Sequence, residues 1–273
     1  MRKTAGRAGR YLFLGIAAAL VVLPLLFLAM SSLKTNEELF NSTFSLPAAP
    51  QWRNYVDIFA QFHQQTYLFN SLWYAVTVCA LGVVVDSMAA YAIARMKWKL
   101  SKATLMLFLA GIMIPLHAII VPLYIVVSRF HMSNQLALML LFTASTIPTS
   151  VFLISGFLST VPRGVEESAV IDGCSIPRMF LSVVCPIITP ALATVTIFNF
   201  MGVWNDLLLS LIFLTDESTK TLQLGILRFK DAFFANYGML LTAIVISMLP
   251  SVLMYLAMSE RLINGITAGA IKG

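Results

Sequence analysis

The chain has 273 residues, of which 59% are hydrophobic and only 11% are charged. Soluble domains carry about 25% charged residues, so the composition excludes an ordinary soluble domain and predicts an integral membrane protein. The formal net charge of +6 does not require a nucleic-acid partner, because cations beside membrane spans report orientation in the membrane.

Six apolar stretches are long enough to cross a bilayer, whose hydrocarbon core takes roughly 20 residues of helix. They lie at about 11–33, 69–94, 103–127, 135–157, 186–214 and 238–260. Backbone polar groups are paired within the chain in lipid, and the alternation of a barrel is missing, so we predict an all-α protein with six transmembrane helices. The first stretch is longer than the apolar part of a signal peptide and is interpreted as a retained span.

The Lys and Arg residues between the spans predict the orientation. Twelve of the 18 lie on the side that holds both termini and a loop at about 159–185, against six on the other side. The positive-inside rule therefore predicts a cytoplasmic N-terminus (1–10), a permease domain (11–260) and a cytoplasmic tail (261–273). On the outer side, a stretch near 51–63 fits either a short interfacial helix or a loop resting on the headgroups.

The 159–185 loop carries signals for two short helices joined by a turn. Ser159 or Thr160 can cap the first helix, and Gly173 can adopt the left-handed conformation that ends it. Ser175, followed two residues later by a proline, can start the second helix. We therefore predict a cytoplasmic helix-turn-helix, after which another proline at 186 marks entry into the fifth span.

Helices this short are marginal alone in water and depend on packing. Phe180, Leu181 and Val184 form an apolar face that we expect to pack on the ends of the spans. That arrangement leaves the first helix, with Glu166 and Glu167, facing outward. A groove on a partner protein is one destination for such a helix, and a solvated surface helix is the other interpretation.

The loop resembles the cytoplasmic signature of permeases from bacterial binding-protein-dependent ATP-binding-cassette importers. That signature reads E-A-A, three residues, G, nine residues, and then I-x-L-P. The matching positions, with the same spacing throughout, are Glu167, Ser168, Ala169, Gly173, Val183, Cys185 and Pro186. Ser168, Val183 and Cys185 replace the Ala, Ile and Leu of the family, and Asp172 before the glycine is similar to the version found in sugar importers.

The resemblance covers nearly the whole chain. The segments "AAYAIARMKWK", "FNFMGVWNDLLLSLIFL" and "NGITAGAIKG" are similar to those of the maltose-type second permease in the sugar-importer subgroup. This resemblance implies the six-helix type I importer permease fold, with the loop acting as the coupling helix that docks on an ATPase subunit. The ATPase-coupling residues that it implies are Glu166, Glu167, Ser168, Ala169, Asp172, Gly173 and Pro186.

The C-terminal tail has two interpretations. Its Gly-rich composition has poor helix propensity and predicts an extended or disordered terminus. The resemblance implies instead that the tail inserts at the ATPase interface, with Gly269, Lys272 and Gly273 as contact residues.

The resemblance also implies the partners. They are a second homologous permease, two ATP-binding-cassette ATPase subunits, an extracytoplasmic solute-binding protein and a sugar, with this chain in the bacterial inner membrane. The chain itself lacks the G-x-x-x-x-G-K-[ST] loop that holds ATP phosphates, and it lacks H-E-x-x-H or a paired Cys/His set. We therefore expect no cofactor, no metal and no enzymatic activity in this chain, with ATP and Mg bound by the partner ATPase.

Polar residues within the spans are candidates for the substrate path, because they are costly in lipid. Asn199, Trp204, Asn205 and Asp206 lie in the fifth predicted span, and Asn199 and Asp206 share a helical stripe with a glycine and a serine. Hydrogen-bonding groups and aromatic faces suit a hydroxylated solute, but the same groups can bond between helices. Asp86 lies about 12 Å deep in the second span and offers either a proton relay or a helix contact.

These observations together predict the permease subunit of an ATP-driven importer for a sugar, with an oligosaccharide favoured. Two alternatives stay open at this point. One is a permease for another solute class, such as a polyol, an osmolyte or a peptide. The other is a proton-driven secondary transporter that uses Asp86.

Overall fold

The computed structural model of the chain describes residues 2–96, 98–132, 134–227, 229 and 236–270. Within these ranges the regular elements are helical, which confirms the all-α prediction. In chain order the α-helices are α1 (Arg2–Ser31), α2 (Asn36–Asn41), α3 (Arg53–Gln61), α4 (Gln64–Ala94), α5 (Ser101–Ile112), α6 (Ile120–Arg129), α7 (Asn134–Leu158), α8 (Gly164–Ile171), α9 (Ile176–Met179), α10 (Cys185–Ile187), α11 (Thr189–Trp204), α12 (Leu208–Phe213), α13 (Leu222–Leu227) and α14 (Tyr237–Ala270).

Four helices in the described part of the chain are long and apolar enough to cross a membrane by themselves. They are Gly9–Ser31 within α1, Gln64–Ala94 as α4, Asn134–Leu158 as α7 and Tyr237–Ser259 within α14. Two further candidates are pairs of helices bent at a short break, and six spans result if each pair counts as one. Length and composition therefore agree with the six predicted spans, two of which are broken.

The third predicted span is one of the broken pairs. Helix α5 and the following segment Leu116–Arg129 meet at an angle of 88°. Pro115 lies at the break in an extended conformation, with φ −66° and ψ 123°. Because proline has no N–H to donate and disfavours helix in the residue before it, this break is encoded locally.

The chain forms two compact units. The first contains the residues through Gln65 together with Leu224–Pro250. The second contains Thr66–Gln223 and the residues from Ser251 onward. The 159–185 loop and the candidate substrate-path residues all belong to the second unit.

In the first unit, local hydrogen bonds fix the segment that follows α1. Thr35 and Glu38 form a reciprocal capping box at the start of α2. The buried Lys34 ammonium group donates to the carbonyl oxygens of Ser42 and Thr43, both at 2.8 Å, just after α2 ends. Of the two interpretations of the stretch near 51–63, the structure has the helix, which is α3.

The second unit contains the apolar cluster that positions the loop. Side chains from α4, α7 and α11 meet side chains from the short helices that follow α7. We call this cluster the junction core, and its buried members are Ala90, Tyr91, Ile93, Val151, Ile154, Leu158, Ala169, Met179, Val184, Ile188 and Val195. Because burial of apolar surface contributes about 25 cal/mol per Å², the junction core holds in place helices that would be marginal alone.

Candidate functional site

The 159–185 loop begins where α7 ends. The Ser159 and Thr160 hydroxyls donate to the carbonyl oxygens of Gly156 and Phe157, at 2.6 and 2.8 Å. The prediction that one of these hydroxyls caps the next helix is wrong, because both satisfy carbonyl groups in the last turn of α7. Helix α8 begins later, at Gly164, and has no side-chain cap.

The predicted stop at Gly173 is confirmed. Its φ of +78° is the left-handed conformation that glycine adopts without a steric cost. The Cys174 N–H donates to the Ala169 carbonyl at 2.9 Å, and the Gly173 N–H donates to the Val170 carbonyl at 3.0 Å. These two bonds form a Schellman motif, so the end of α8 is closed by its own backbone.

The second short helix starts as predicted but continues differently. Ser175 precedes α9 in an extended conformation, and a proline follows in the first turn. Residues Phe180–Val184 form a π-helical turn, in which Val184 is buried and Phe180 packs against the junction core. Leu181 is 65% exposed, so its predicted inward position is wrong. The prediction assumed about 3.6 residues per turn, and the wider π turn rotates Leu181 outward.

The fifth predicted span does not begin at Pro186. That proline lies in α10, and the segment Ile176–Ile187 meets α11 at an angle of 76°. Helix α11 begins at Thr189, with a proline in its first turn. Ile188, at the break itself, is 0% exposed and belongs to the junction core. The bend is therefore packed rather than open to solvent.

The two adjacent glutamates of α8 have different surroundings. Glu166 Oε1 lies 2.8 Å from Arg95 Nε, and the two side chains are only 15% and 6% exposed. Glu166 Oε2 accepts a hydrogen bond from the Tyr91 hydroxyl at 3.4 Å. Glu167 is exposed. The expectation that both acids face outward is therefore wrong for Glu166, because a buried cation at the end of α4 draws it inward.

Apart from the buried Ala169 and the half-buried Glu166, the surface of α8 is open. Ile171 is 85% exposed and Val170 is 58% exposed, and both lie close to the exposed carboxylates of Glu167 and Asp172. Ser168 is also exposed, and its hydroxyl donates to the Gly164 carbonyl at 2.8 Å. Large apolar side chains beside carboxylates form a surface that can be buried by a partner protein.

A cavity of about 450 Å³ lies beside this surface, between the end of α4 and the two short helices. It is lined by Tyr91, Arg95, Met96, Arg163, Glu166, Glu167, Val170, Ile171, Ile176 and Met179. The lining combines charges of both signs with apolar side chains. The loop therefore presents a ridge with a depression next to it, which is a suitable shape for docking another protein.

The candidate substrate-path residues do not form one helical stripe. Helix α11 ends at Trp204, and Asp206 lies in the short break before α12. Asp206 Oδ2 accepts a hydrogen bond from the Ser210 backbone N–H at 2.9 Å, in the first turn of α12. Asn205 Nδ2 donates back to the Met201 carbonyl at 2.9 Å. The predicted stripe from Asn199 to Asp206 is wrong, because Asn205 and Asp206 bond to the backbone at the helix ends.

The remaining candidates lie inside the unit. Trp204 is 2% exposed, and its ring stacks on Phe200 with centroids 5.6 Å apart. Asn199 Nδ2 donates to Ser150 Oγ at 3.2 Å, which joins α11 to α7. Asp86 on α4 is fully buried and its Oδ2 lies beside Gly82, as Asn199 Nδ2 does, but neither carboxylate oxygen has a hydrogen-bond partner among the described residues. This geometry favours the helix-contact interpretation of Asn199.

A glycine makes room for this contact between three spans. A Cβ added at Gly82 would lie 3.2 Å from Asp86 Oδ2 and 3.3 Å from Asn199 Nδ2. Both distances are too short for an ordinary contact, so the absence of a side chain here lets α4 approach α11 closely.

The tail is helical over most of its length. Helix α14 continues to Ala270, so the prediction of a non-helical tail is wrong for residues 261–270, and Gly269 lies within the helix. Extending an existing helix avoids the cost of nucleation, which offsets the poor propensity of two glycines. Lys272 and Gly273 lie outside the described residues.

Known proteins resemble this chain in sequence and in fold. Residues 82–259 match the family described as "Binding-protein-dependent transport system inner membrane component". The chain is 31% identical over 264 residues to the "Melibiose/raffinose/stachyose import permease protein MelC" of Bacillus subtilis, which covers 96% of this chain and 95% of that protein. It is 31% identical over 258 residues to the "Diacetylchitobiose uptake system permease protein NgcG" of Streptomyces coelicolor, which covers 93% and 85%.

The fold also matches a solved structure. A chain of a bacterial ABC transporter involved in the import of the acidic polysaccharide alginate superposes with a TM-score of 0.82. The match covers 92% of this chain and 94% of that chain at 17% sequence identity. At this identity the likeness shows the fold alone, which is that of an ABC importer permease.

Proposed function

Since the chain belongs to the family of binding-protein-dependent transport system inner membrane components, we propose that it is the permease subunit of an oligosaccharide importer. Family membership makes the chain a transport subunit of the inner membrane that works with a partner ATPase and a solute-binding protein. An oligosaccharide cargo is supported by the relatives, since MelC is named for melibiose, raffinose and stachyose and NgcG for diacetylchitobiose.

The exposed surface of α8 is the observation that carries the proposed mechanism. Glu167 and Ile171 face outward on a helix whose other side is fixed in the junction core. This surface docks on the ATPase subunit, and the closure of the ATPase moves α8 and the spans packed against it. Transport then follows by rigid-body motion that opens the pathway to alternate sides.

The assembly includes a second homologous permease and two ATPase subunits. A single chain of six spans forms one half of the pathway in this arrangement, with both termini in the cytoplasm as the Lys and Arg count predicts. The end of the tail, including Gly269, Lys272 and Gly273, lies at the ATPase interface. Asn199 and Trp204 pack between helices, and Asn205 and Asp206 bond to the backbone at helix ends, so we propose no sugar contacts for these four residues.

The proposal is tested by transport with defined sugars. The complex is purified with its ATPase and binding protein, reconstituted in liposomes, and assayed for ATP-dependent uptake of radiolabelled raffinose and diacetylchitobiose. Uptake of either sugar supports the oligosaccharide class. Uptake of a polyol, an osmolyte or a peptide in place of the sugars would show that the transported solute belongs to another class. Uptake by this chain alone under a pH gradient would contradict the ATP-driven mechanism.

The docking surface is tested by charge reversal at Glu167. We expect Glu167→Lys to reduce the ATPase stimulation by loaded binding protein about tenfold or more, because a buried charged contact at an interface is replaced by repulsion. Glu37→Lys is the matched control, since Glu37 is also an exposed acid in the first turn of a short helix. Unchanged stimulation and assembly in Glu167→Lys would contradict the docking role.

A further inference from the structure

We propose that Arg95 and Tyr91, at the end of span α4, are positioning residues that hold Glu166 and thereby lock α8 to this span. The inference rests on the proposed function, because it concerns how motion of the docked α8 reaches the membrane. The adjacent residues Glu166 and Glu167 therefore have different roles. Glu166 anchors the helix internally and Glu167 faces the partner.

The Arg95 guanidinium group makes two contacts with different parts of the loop. Its Nε lies 2.8 Å from Glu166 Oε1 in the first turn of α8. Its Nη2 donates to the Val161 carbonyl at 2.7 Å, in the segment that leads into α8. One planar group just after α4 therefore holds both the start of α8 and the chain that enters it.

Tyr91 adds a second connection from the same face of α4. It precedes Arg95 by four residues, so the two side chains lie one above the other. Its hydroxyl donates to Glu166 Oε2 at 3.4 Å. Its ring contacts Phe180 of the π turn, with centroids 5.2 Å apart. Tyr91 therefore touches both halves of the helix-turn-helix.

Burial makes this ion pair different from a surface pair. The side chains of Arg95 and Glu166 are 6% and 15% exposed, so water screens their attraction only weakly. Removal of either partner leaves the other charge buried without a counter-charge. The Arg53–Asp57 pair offers a contrast, because its arginine is 83% exposed and such pairs contribute little.

The Glu166 carboxylate is therefore paired with groups of its own chain. Its carboxylate oxygens face Tyr91 on α4 and Arg95 directly after α4, while Glu167, one residue later, is exposed. Because α8 is attached to a span on one side and to the ATPase on the other, a displacement of the ATPase is transmitted through α8 to the span. If the attachment to α4 were lost, α8 could follow the ATPase while the span stayed behind.

The test uses the complete complex in nanodiscs and two readouts. The first is hydrogen exchange of the α8 backbone amides, residues 164–171. The second is the number of raffinose or diacetylchitobiose molecules taken up per ATP hydrolysed in liposomes. The variants are Arg95→Gln, Glu166→Gln, the double Gln variant and Arg95→Lys, with Arg53→Gln as the exposed-pair control.

We expect each single Gln variant to raise the exchange of α8 about tenfold and to lower the uptake per ATP by a similar factor, allowing for the partial exposure of the pair. The double variant is expected to exceed neither single variant, because it leaves no unpaired charge. Arg95→Lys keeps the charge but not the forked geometry, so we expect partial rescue. Arg53→Gln is expected to behave as the wild type.

Three results separate the possible failures. Wild-type exchange and wild-type uptake per ATP in both single variants would overturn the inference and leave the proposed function intact. Additive losses in the double variant would also overturn it, because the two residues would then act independently. Failure of the wild-type complex to import any sugar would overturn the proposed function, while the exchange measurement would still decide whether Arg95 holds α8.

Tyr91→Phe guards against a folding defect in the charge variants. It removes only the hydroxyl group and keeps the ring against Phe180. We expect a smaller rise in exchange of about threefold, since the bond to a carboxylate is long at 3.4 Å. An unchanged exchange rate in this variant would remove Tyr91 from the proposal.

Discussion

Gly173→Ala isolates the contribution of one backbone conformation to the coupling helix. Gly173 has a φ of +78°, and a Cβ built on it meets nothing within 4 Å. The substitution therefore introduces no clash, and its cost is the strain of placing a side chain in the left-handed region. That strain is about 1–2 kcal/mol for a residue other than glycine.

This cost predicts a local loosening rather than global unfolding. A free-energy change of about 1–2 kcal/mol shifts an opening equilibrium roughly 5- to 30-fold. The amides that close the Schellman motif, those of residues 173 and 174, report the opening directly. We expect their hydrogen exchange, measured by mass spectrometry in nanodiscs, to accelerate by about that factor, with a smaller change inside α8.

Gly164→Ala provides the matched control. A Cβ at Gly164 also meets nothing within 4 Å, but this residue lies in the first turn of α8 with no positive φ. We expect unchanged or slower exchange, because alanine has the higher helix propensity by up to about 1 kcal/mol. For Gly173→Asn we expect a change in hydrogen exchange between those of Gly173→Ala and Gly164→Ala, since asparagine tolerates the left-handed region better than alanine. Equal exchange in Gly173→Ala and the wild type would refute the strain argument.

Three further predictions concern helix ends and packing elsewhere. Asp206→Ala should lower stability by about 1 kcal/mol in thermal unfolding, because the Ser210 N–H loses its acceptor, while Asp206→Asn should restore most of it; equal losses would contradict a capping role. The Thr35 and Ala48 backbone N–H groups hold the pKa of Glu38 below its ordinary value of 4.5. Stability from this carboxylate is therefore complete above the ordinary pKa and is lost as the pH falls through the depressed one, so Glu38→Gln should flatten the acid limb of the melting temperature against pH. Gly82→Ala should cost about 1–3 kcal/mol by crowding the buried carboxylate and amide beside it, whereas Gly156→Ala, where nothing lies within 4 Å, should be neutral or stabilising by up to about 1 kcal/mol in the same assay.

The features that could be predicted from the sequence are those encoded by neighbouring residues. The left-handed stop at Gly173 and the start of α9 after Ser175 follow from the conformations that glycine, serine and proline prefer. The apolar stretches gave the spans because a bilayer demands a fixed length of helix. In each case the physical cause lies within a few residues of its effect.

The features that could not be predicted depend on contacts between distant segments or on a change in helical pitch. Arg95 and Glu166 are far apart in the sequence, and the arginine could be counted only as a cation that reports topology. Leu181 was assigned to the wrong side because a π turn has no distinct composition. The break after Trp204 had a signal, the adjacent Asn and Asp, whose side chains compete for backbone groups and favour helix ends.

The packing of the loop determines which parts of the chain can move together. Helix α8 is about 12 Å long and would not be stable alone, so any displacement it transmits depends on its attachments. Ala169 enters the junction core and Glu166 is held by α4, which ties the helix to side chains from α4, α7 and α11. The 76° bend before α11 is not a free hinge, because Ile188 at the break is completely buried in the same core. A deformable bend would dissipate the motion of α8, whereas a packed bend passes it to three spans at once.

Ile188→Ala should therefore lower uptake per ATP more than it lowers assembly with the ATPase. The substitution opens a cavity, of a kind that costs about 2–5 kcal/mol, at the point where the loop joins the membrane. Equal losses in both measurements would mean that the core serves stability alone.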